Sequence, residues 1–234
     1  MSCVPPPVST PTSRPAPGRP RLRAALLAAP LLAALIGAAP VQAIPIPGIP
    51  ALCAPPGPGT PTGQQWQAEP PLTIEPAAYI ATLNTTCGPL TLELDGAAAP
   101  RTVNSFAFLA EQKYFDHTAC HRLTTDGIFV LQCGDPTASG TGGPGYRLPD
   151  ENLAGAVYPA GTVAMANAGP GTNGSQFFLV YRDSQLPPNY TPFGRVTAGL
   201  ELLNGIAAAG VLGGGDDGGP AVPVVLNSVT VAKA

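Results

Sequence analysis

Residues Gly161–Val180 read GTVAMANAGPGTNGSQFFLV, and the rest of the chain is organised around them. Val163-Ala164-Met165 leads in, an Asn/Gly/Pro loop follows from Asn167 to Gly174, and Phe177–Val180 is an apolar, aromatic exit. Gly and Asn at that density specify a tight turn between two extended segments. Gln176 and Phe178 are two residues apart, so on a strand both side chains point to one face. An amide beside an aromatic ring on one face is the beginning of a small peptide-binding site.

Working outward, the N-terminal end differs in kind. Arg14, Arg19, Arg21 and Arg23 precede the uncharged Ala/Leu run Ala24–Ala39, and Val41-Gln42-Ala43 offers a small-residue cleavage site. This is the pattern of an export signal over residues 1–43, or of a signal anchor if it is not cleaved. The apolar run is shorter than the ~18 residues of a spanning helix and contains Pro30. Export to an extracellular or cell-envelope location is the expectation, with tethering as the alternative. Residues 44–75 are too rich in Pro and Gly for either regular period and read as an extended, disordered linker. The folded domain is expected over 76–234.

Charge narrows the partners. The leader carries four arginines and no acid, so its removal leaves seven basic against fourteen acidic side chains. A domain with that acidic excess has no electrostatic footprint for nucleic acid. Cys53, Cys87, Cys120 and Cys133 remain after the leader is removed, an even number in a chain bound for an oxidising compartment. Their spacing matches no zinc pattern. Cys120 and Cys133 lie on two arms of one predicted hairpin and are near enough to pair, with Cys87 as a competitor.

Within the domain, Tyr79–Asn84 and Leu90–Leu94 alternate apolar and polar around a Thr-Thr-Cys-Gly-Pro turn, an antiparallel hairpin. Pro100 opens a helix with Val103, Phe106, Leu109 and Ala110 at helical spacing. Cys120–Leu123 and Ile128–Gln132 form a second hairpin around a turn at Thr124–Gly127. A Gly-rich loop spans Cys133–Tyr146. Phe193–Val196 is a short strand, Thr197 caps a helix through Ile206, and Val222–Val231 is a closing strand. Short strands with two separated helices specify a mainly β fold, helices packed on the ends of a closed antiparallel sheet.

The usual catalytic sets are missing. Ser175 lacks the flanking glycines of a nucleophile elbow. The pairs Asp150-Glu151 and Asp216-Asp217 are neighbours that diverge on a loop and read as solvated charges. The Gly142–Gly145 run is followed by Tyr146 in place of the Lys-Ser/Thr of a phosphate loop. What remains is non-titrating at ordinary pH: Arg122, Phe129, Gln132, Asn167, Gln176, Phe178 and Phe193. Each alone has an ordinary structural explanation. Together they form an apolar floor for a ring, rimmed by amides and one permanent cation.

Cys120–Asp135 (CHRLTTDGIFVLQCGD), the Gly142-Gly143 loop and Gly161–Leu179, with MANAGPGTNGSQFF as its most specific part, resemble the signature blocks of cyclophilin-type peptidyl-prolyl cis–trans isomerases. The resemblance runs from about Tyr79 to Val231. It implies a closed eight-stranded antiparallel barrel capped by two helices, an isomerase of X-Pro bonds in folding or exported proteins, and no cofactor or metal. By position it assigns catalysis to Arg122, Gln132 and Asn167. Substrate contacts fall on Phe129, Val130, Ala166, Gln176, Phe178, Leu186, Tyr190 and Phe193. A monomer acting on X-Pro-containing clients is expected, with a non-catalytic proline-binding or chaperone module as the alternative. Two departures stand out: Gln185 occupies the place of the family's tryptophan, and Tyr190 that of its pocket-rim histidine. Weak or no cyclosporin binding follows from them. The Thr124–Gly127 turn is also longer than usual, which widens the mouth of the site.

Overall fold

The first predicted hairpin forms as β1 (Ala78–Thr85) and β2 (Gly88–Asp95), paired from Ala78↔Asp95 to Thr85↔Gly88. These coordinates are a computed structural model in which residues 53–234 are described, so the predicted leader and the start of the linker lie outside the described residues. The strand period of two sends Ala81, Leu83, Leu90, Leu92 and Leu94 inward, each essentially buried. Burial of such a side chain contributes about 1.5–3 kcal/mol.

Helix α1 (Pro100–Glu111) starts on its proline, as expected. It has no capping side chain of its own. Glu151 supplies the acceptor instead, taking the N–H groups of Arg101 (3.1 Å) and Thr102 (2.8 Å). Those N–H groups have no partner inside the helix, and the positive N-terminal end favours a carboxylate. Glu151 is therefore a built-in cap, and Asp150 holds Gly171 N and Asn173 Nδ2. The reading of this acidic pair as solvated charge is corrected.

The remaining strands are β3 (Thr118–Ala119), β4 (Arg122–Thr124), β5 (Val130–Cys133), β6 (Thr162–Met165), β7 (Phe177–Val180) and β8 (Pro192–Ala198). Helix α2 (Leu200–Ala208), β9 (Asp217–Gly218) and β10 (Val225–Lys233) complete the chain. The paired order is β3-β10-β1-β2-β8-β6-β7-β5-β4-β9, a curled antiparallel sheet of ten strands. The expected closed barrel of eight is corrected accordingly. The two additional strands are two-residue edges, and the hydrogen-bonded ladder does not join them. Instead the segment 118–124 pairs with β10 through its first half and with β5 through its second. The same short segment thus serves both halves of the curled sheet.

Two further expectations shift. Thr197 lies in β8 and donates to Thr91 O, while Gly199, at φ 95°, precedes α2. Only a residue without Cβ takes that left-handed turn without strain, so the strand runs on past Thr197. In the second hairpin the ladder ends at Leu123↔Leu131. Phe129 N donates to Ser184 Oγ and Val130 N to Thr124 Oγ1, so the returning strand begins at Val130 and not at Ile128.

The core lies between the inner sheet face and α1. Phe106 meets Phe115, Phe177 and Phe193 at ring distances of 4.9, 5.3 and 5.6 Å. Leu203 and Ile206 of α2 join the same cluster.

Residues 53–75 contain no helix or strand, in keeping with their Pro and Gly content, but they are tied to the domain. Cys53 is bonded to Cys87, and Ala54 N donates to Thr86 O. Trp66 packs on Phe108 (5.2 Å) and Tyr114 (5.8 Å) and donates its main-chain N–H to Pro144 O. Asn104 of α1 accepts from Thr73 N and donates to Pro71 O. A second disulfide joins Cys120 to Cys133.

Candidate active site

Strand register builds the site. Arg122 pairs with Gln132, Gln132 with Phe178, and Phe178 with Ala164. Residues directly opposite one another in a sheet share a face, so these four form one rung on the outer face of β4, β5, β7 and β6. The next residue along each strand, Leu123, Leu131, Leu179 and Val163, faces the core and is fully buried or nearly so. One sheet thus serves the core on one side and carries the cation, amide and ring on the other.

Hydrogen bonds continue along the polar end of the rung. Arg122 Nη1 lies 3.4 Å from Gln132 Oε1, Gln132 Nε2 donates to Gln176 Oε1 at 2.8 Å, and Gln176 Nε2 donates to Gly142 O at 2.9 Å. The apolar end is a second cluster made of Val130, Tyr158, Ala164, Phe178 and Val180, flanked by Ile128, Leu186 and Tyr190. Tyr190 meets Phe178 edge-on at 5.6 Å, and its main chain is held on both sides by the Tyr158 hydroxyl.

Between the two ends lies a cavity of about 450 Å³ lined by Arg122, Ile128, Val130, Gln132, Phe178, Leu186 and Tyr190. A second cavity of about 490 Å³ adjoins it and shares Gln132, Gly140, Ala166 and Asn167. Gln65, from the N-terminal strap, lines the second cavity.

The predicted residues fall into three groups. Arg122, Val130, Gln132, Ala166, Gln176, Phe178, Leu186 and Tyr190 are brought together around these cavities. Asn167 is also there, but its side-chain amide holds the Asn189 carbonyl (2.9 Å) and Asn173 Oδ1 (3.2 Å). Phe129 and Phe193 are elsewhere. Phe129 packs against the main core with Arg182 stacked over its ring at 3.4 Å, and Phe193 is fully buried beside Phe106. Ile128 lines the cavity where Phe129 was expected. Parity held part of the signal: Val130 and Gln132 share a face of β5, whereas Phe129 precedes the strand and stands three residues from Gln132.

Two residues at the site were missed. Asp217 accepts from Arg122 Nε and Nη2, both at 2.7 Å, a two-point charge-assisted pair. Hydrogen bonding to Asp217 raises the Arg122 guanidinium above its ordinary value, and the same bond holds the Asp217 carboxyl below the usual carboxylate range. His121 lines the cavity. Burial pushes its imidazole below the ordinary value, favouring the neutral form. Asp217 belongs to the second acidic pair read above as solvated charge; that reading is corrected, and its partner Arg122 escaped notice because it stands 95 residues earlier in the chain. Among the described residues, no three His, Cys, Asp or Glu side chains gather as a metal site.

Comparisons with known proteins meet the same residues. The family described as "Cyclophilin type peptidyl-prolyl cis-trans isomerase/CLD" matches residues 80–231. The chain is 51% identical over 169 residues to a probable peptidyl-prolyl cis-trans isomerase B of Mycobacterium leprae, covering 66% of this chain and 57% of that one. It is 42% identical over 147 residues to the mouse peptidyl-prolyl cis-trans isomerase-like 1, covering 58% and 83%. A solved cyclophilin-type isomerase of Cryptosporidium parvum superposes with a TM-score of 0.59 at 27% identity, covering 67% of this chain and 99% of that one. The same parasite protein has been solved in the presence of the dipeptide Ala-Pro. The chain spans a little over half the length of the mycobacterial relatives it matches. With the match running from β1 to β10 through every strand of the rung, the chain belongs to the cyclophilin-type peptidyl-prolyl cis–trans isomerase family.

Proposed function

We propose that this protein catalyses cis–trans isomerisation of X-Pro peptide bonds in folding or exported proteins, without a cofactor. The observation that carries the proposal is the rung: a guanidinium, an amide and an aromatic ring in register across three strands, facing one cavity.

The chemical task is a barrier of about 18–20 kcal/mol to rotation about an amide bond. Rotation removes resonance, and the prolyl nitrogen becomes pyramidal with a free lone pair. A guanidinium aimed at that nitrogen bonds to it only in the twisted state. Stabilisation that exists in the transition state and not in the ground state accelerates the reaction with no covalent step and no general base. Arg122 suits the role because it stays charged at any ordinary pH.

In this mechanism Phe178, Leu186, Val130 and Tyr190 hold the proline ring, and Ile128 takes the place first given to Phe129. Gln132 and Gln176 hold the flanking peptide. Asn167 contributes through the loop it secures, since its side-chain amide already bonds Asn189 O. Residues before the proline extend toward Ala166 and the second cavity.

The client is an X-Pro-containing chain with no requirement for nucleic acid, and the working unit is a monomer. Export, after cleavage or as a tethered form, is supported by the Arg-then-apolar leader sequence and by two disulfides, which persist in oxidising compartments. Gln185 is exposed and Tyr190 fills the rim, which supports weak cyclosporin binding. That altered rim also supports the second reading, a proline-peptide binder or chaperone without turnover. A protease-coupled assay on a short X-Pro peptide separates the two. Turnover well above the uncatalysed rate is expected. Saturable peptide binding with no rate enhancement would establish the second reading.

A further inference from the structure

The loop that delivers Asp217 is anchored at both ends. Val211 and Pro220 form a bridge, and Leu212 N donates to Gly219 O at 2.7 Å. Gly213, Gly214 and Gly215 turn the tip with φ of 79, 83 and 94°, a left-handed path that favours glycine. The returning arm is β9, which pairs with β4 through Thr124↔Asp217 and Leu123↔Gly218. Thr125 N donates to Asp216 O at 2.9 Å and its hydroxyl to Asp216 Oδ1, extending that pairing. The backbone at Asp217 is thereby fixed beside the strand that carries Arg122.

A guanidinium presents its donors in a rigid planar fork. Asp217 occupies the Nε–Nη2 edge with two bonds of 2.7 Å, and Nη1 remains on the side of Gln132. Two contacts on one edge fix the plane of the group as well as its position. A long flexible side chain with 38% of its surface exposed gains a defined plane from that two-point contact.

We propose that Asp217 is a positioning residue for isomerisation: it locks the Arg122 guanidinium by its outer edge so that the inner edge faces the prolyl nitrogen. The inference rests on the isomerase reading of Arg122. It opposes a second role for the same contact, a brake in which Asp217 competes with substrate for the cation.

The test compares the full chain with Asp217→Ala, Asp217→Asn, Arg122→Ala and the Arg122→Ala/Asp217→Ala double variant. The expected result for Asp217→Ala is a fall in kcat of about tenfold with little change in KM, as for a small misplacement of a catalytic group. Asp217→Asn, which keeps the shape and one acceptor, falls between. In the Arg122→Ala background, removing Asp217 costs nothing further, because its only route to the reaction is gone. A readout independent of turnover is the Arg122 Nε–H resonance, assigned by its loss in Arg122→Lys. It is protected from exchange in the wild type and exchanges rapidly in Asp217→Ala. Asp217→Ala turning over as fast as the wild type, or faster, overturns the proposal and in the latter case supports the brake. Additive losses in the double variant, or an unprotected Nε–H in the wild type, also overturn it. A wild-type chain with a protected Nε–H and no turnover removes the isomerase reading instead, and the positioning role with it.

Discussion

Gln132 donates from Nε2 to Gln176 Oε1 at 2.8 Å, and that single bond joins the cation of the site to its loop wall. On one side Gln132 faces Arg122, and on the other Gln176 holds Gly142 O. Gln132→Ala should break the row in the middle while leaving the Arg122–Asp217 pair in place. A lost hydrogen bond of this kind is worth roughly 1–1.5 kcal/mol, or about tenfold in kcat/KM. The protease-coupled assay measures it, and an unchanged rate would show that the row is structural.

In the proposed mechanism, Arg122→Ala removes the group that discriminates the twisted bond from the planar one. A loss of at least ~10²-fold in kcat/KM is expected, with an unchanged circular dichroism spectrum. Most of the activity surviving in a folded variant would remove Arg122 from the mechanism.

Asp135 gives the fold a defined acid sensitivity. Its fully buried carboxylate accepts from Thr137 N and Oγ1, Gly140 N and Gly142 N, at 2.7 to 3.0 Å. Burial alone would raise this carboxyl, but the Thr137 hydroxyl and the loop N–H groups outweigh it and leave it below its ordinary value. A group lowered on folding adds stability that is complete above the unfolded carboxylate pKa. That stability is lost as pH falls through the lower folded value. Stability should therefore decline below about pH 4. Asp135→Asn should lose about 2 kcal/mol at neutral pH and show a flatter acid limb. Denaturant titrations at several pH values check both.

The two disulfides should separate by consequence. Cys120 and Cys133 close a short loop inside the core cluster, and replacing both by serine should cost about 3 kcal/mol of global stability. Cys53–Cys87 ties the strap to the β1–β2 turn, and its loss should instead open residues 53–65 to protease while the domain stays folded. Denaturant midpoints and limited proteolysis distinguish the two effects. Intact mass with and without reductant counts the bonds.

Cyclosporin should bind weakly. Gln185 is exposed beside Leu186, where a large indole would add apolar area to the cavity rim. Gln185→Trp should tighten binding measured by titration calorimetry, and Tyr190→His together with it should tighten it further. Nanomolar binding by the wild type would overturn this assignment.

Much of this site is legible before folding because local pattern carries it. The alternation in β1 and β2, the proline at the start of α1 and the block from Met165 to Phe178 each state their role within a few residues. Phe129 and Phe193 were misplaced because an aromatic residue suits a pocket wall and a core equally well. Only the face it occupies decides, and for Phe129 the parity with Gln132 already pointed inward. The number of strands was misjudged for another reason. Two-residue edges such as β3 and β9 have no alternation to show, and they exist only because a neighbouring strand offers free N–H and C=O groups.

Local pattern along the chain carries the family signature, the strand faces and the identity of the cation. Tertiary structure alone decided what that cation touches. Arg122, Gln132 and Phe178 meet because β4, β5 and β7 pair in one register. Asp217 reaches Arg122 because a glycine-turned hairpin docks on the edge of β4. A contact across 95 residues leaves no local periodicity in the chain, since it is fixed by backbone hydrogen bonding between strands and not by the propensities of either segment.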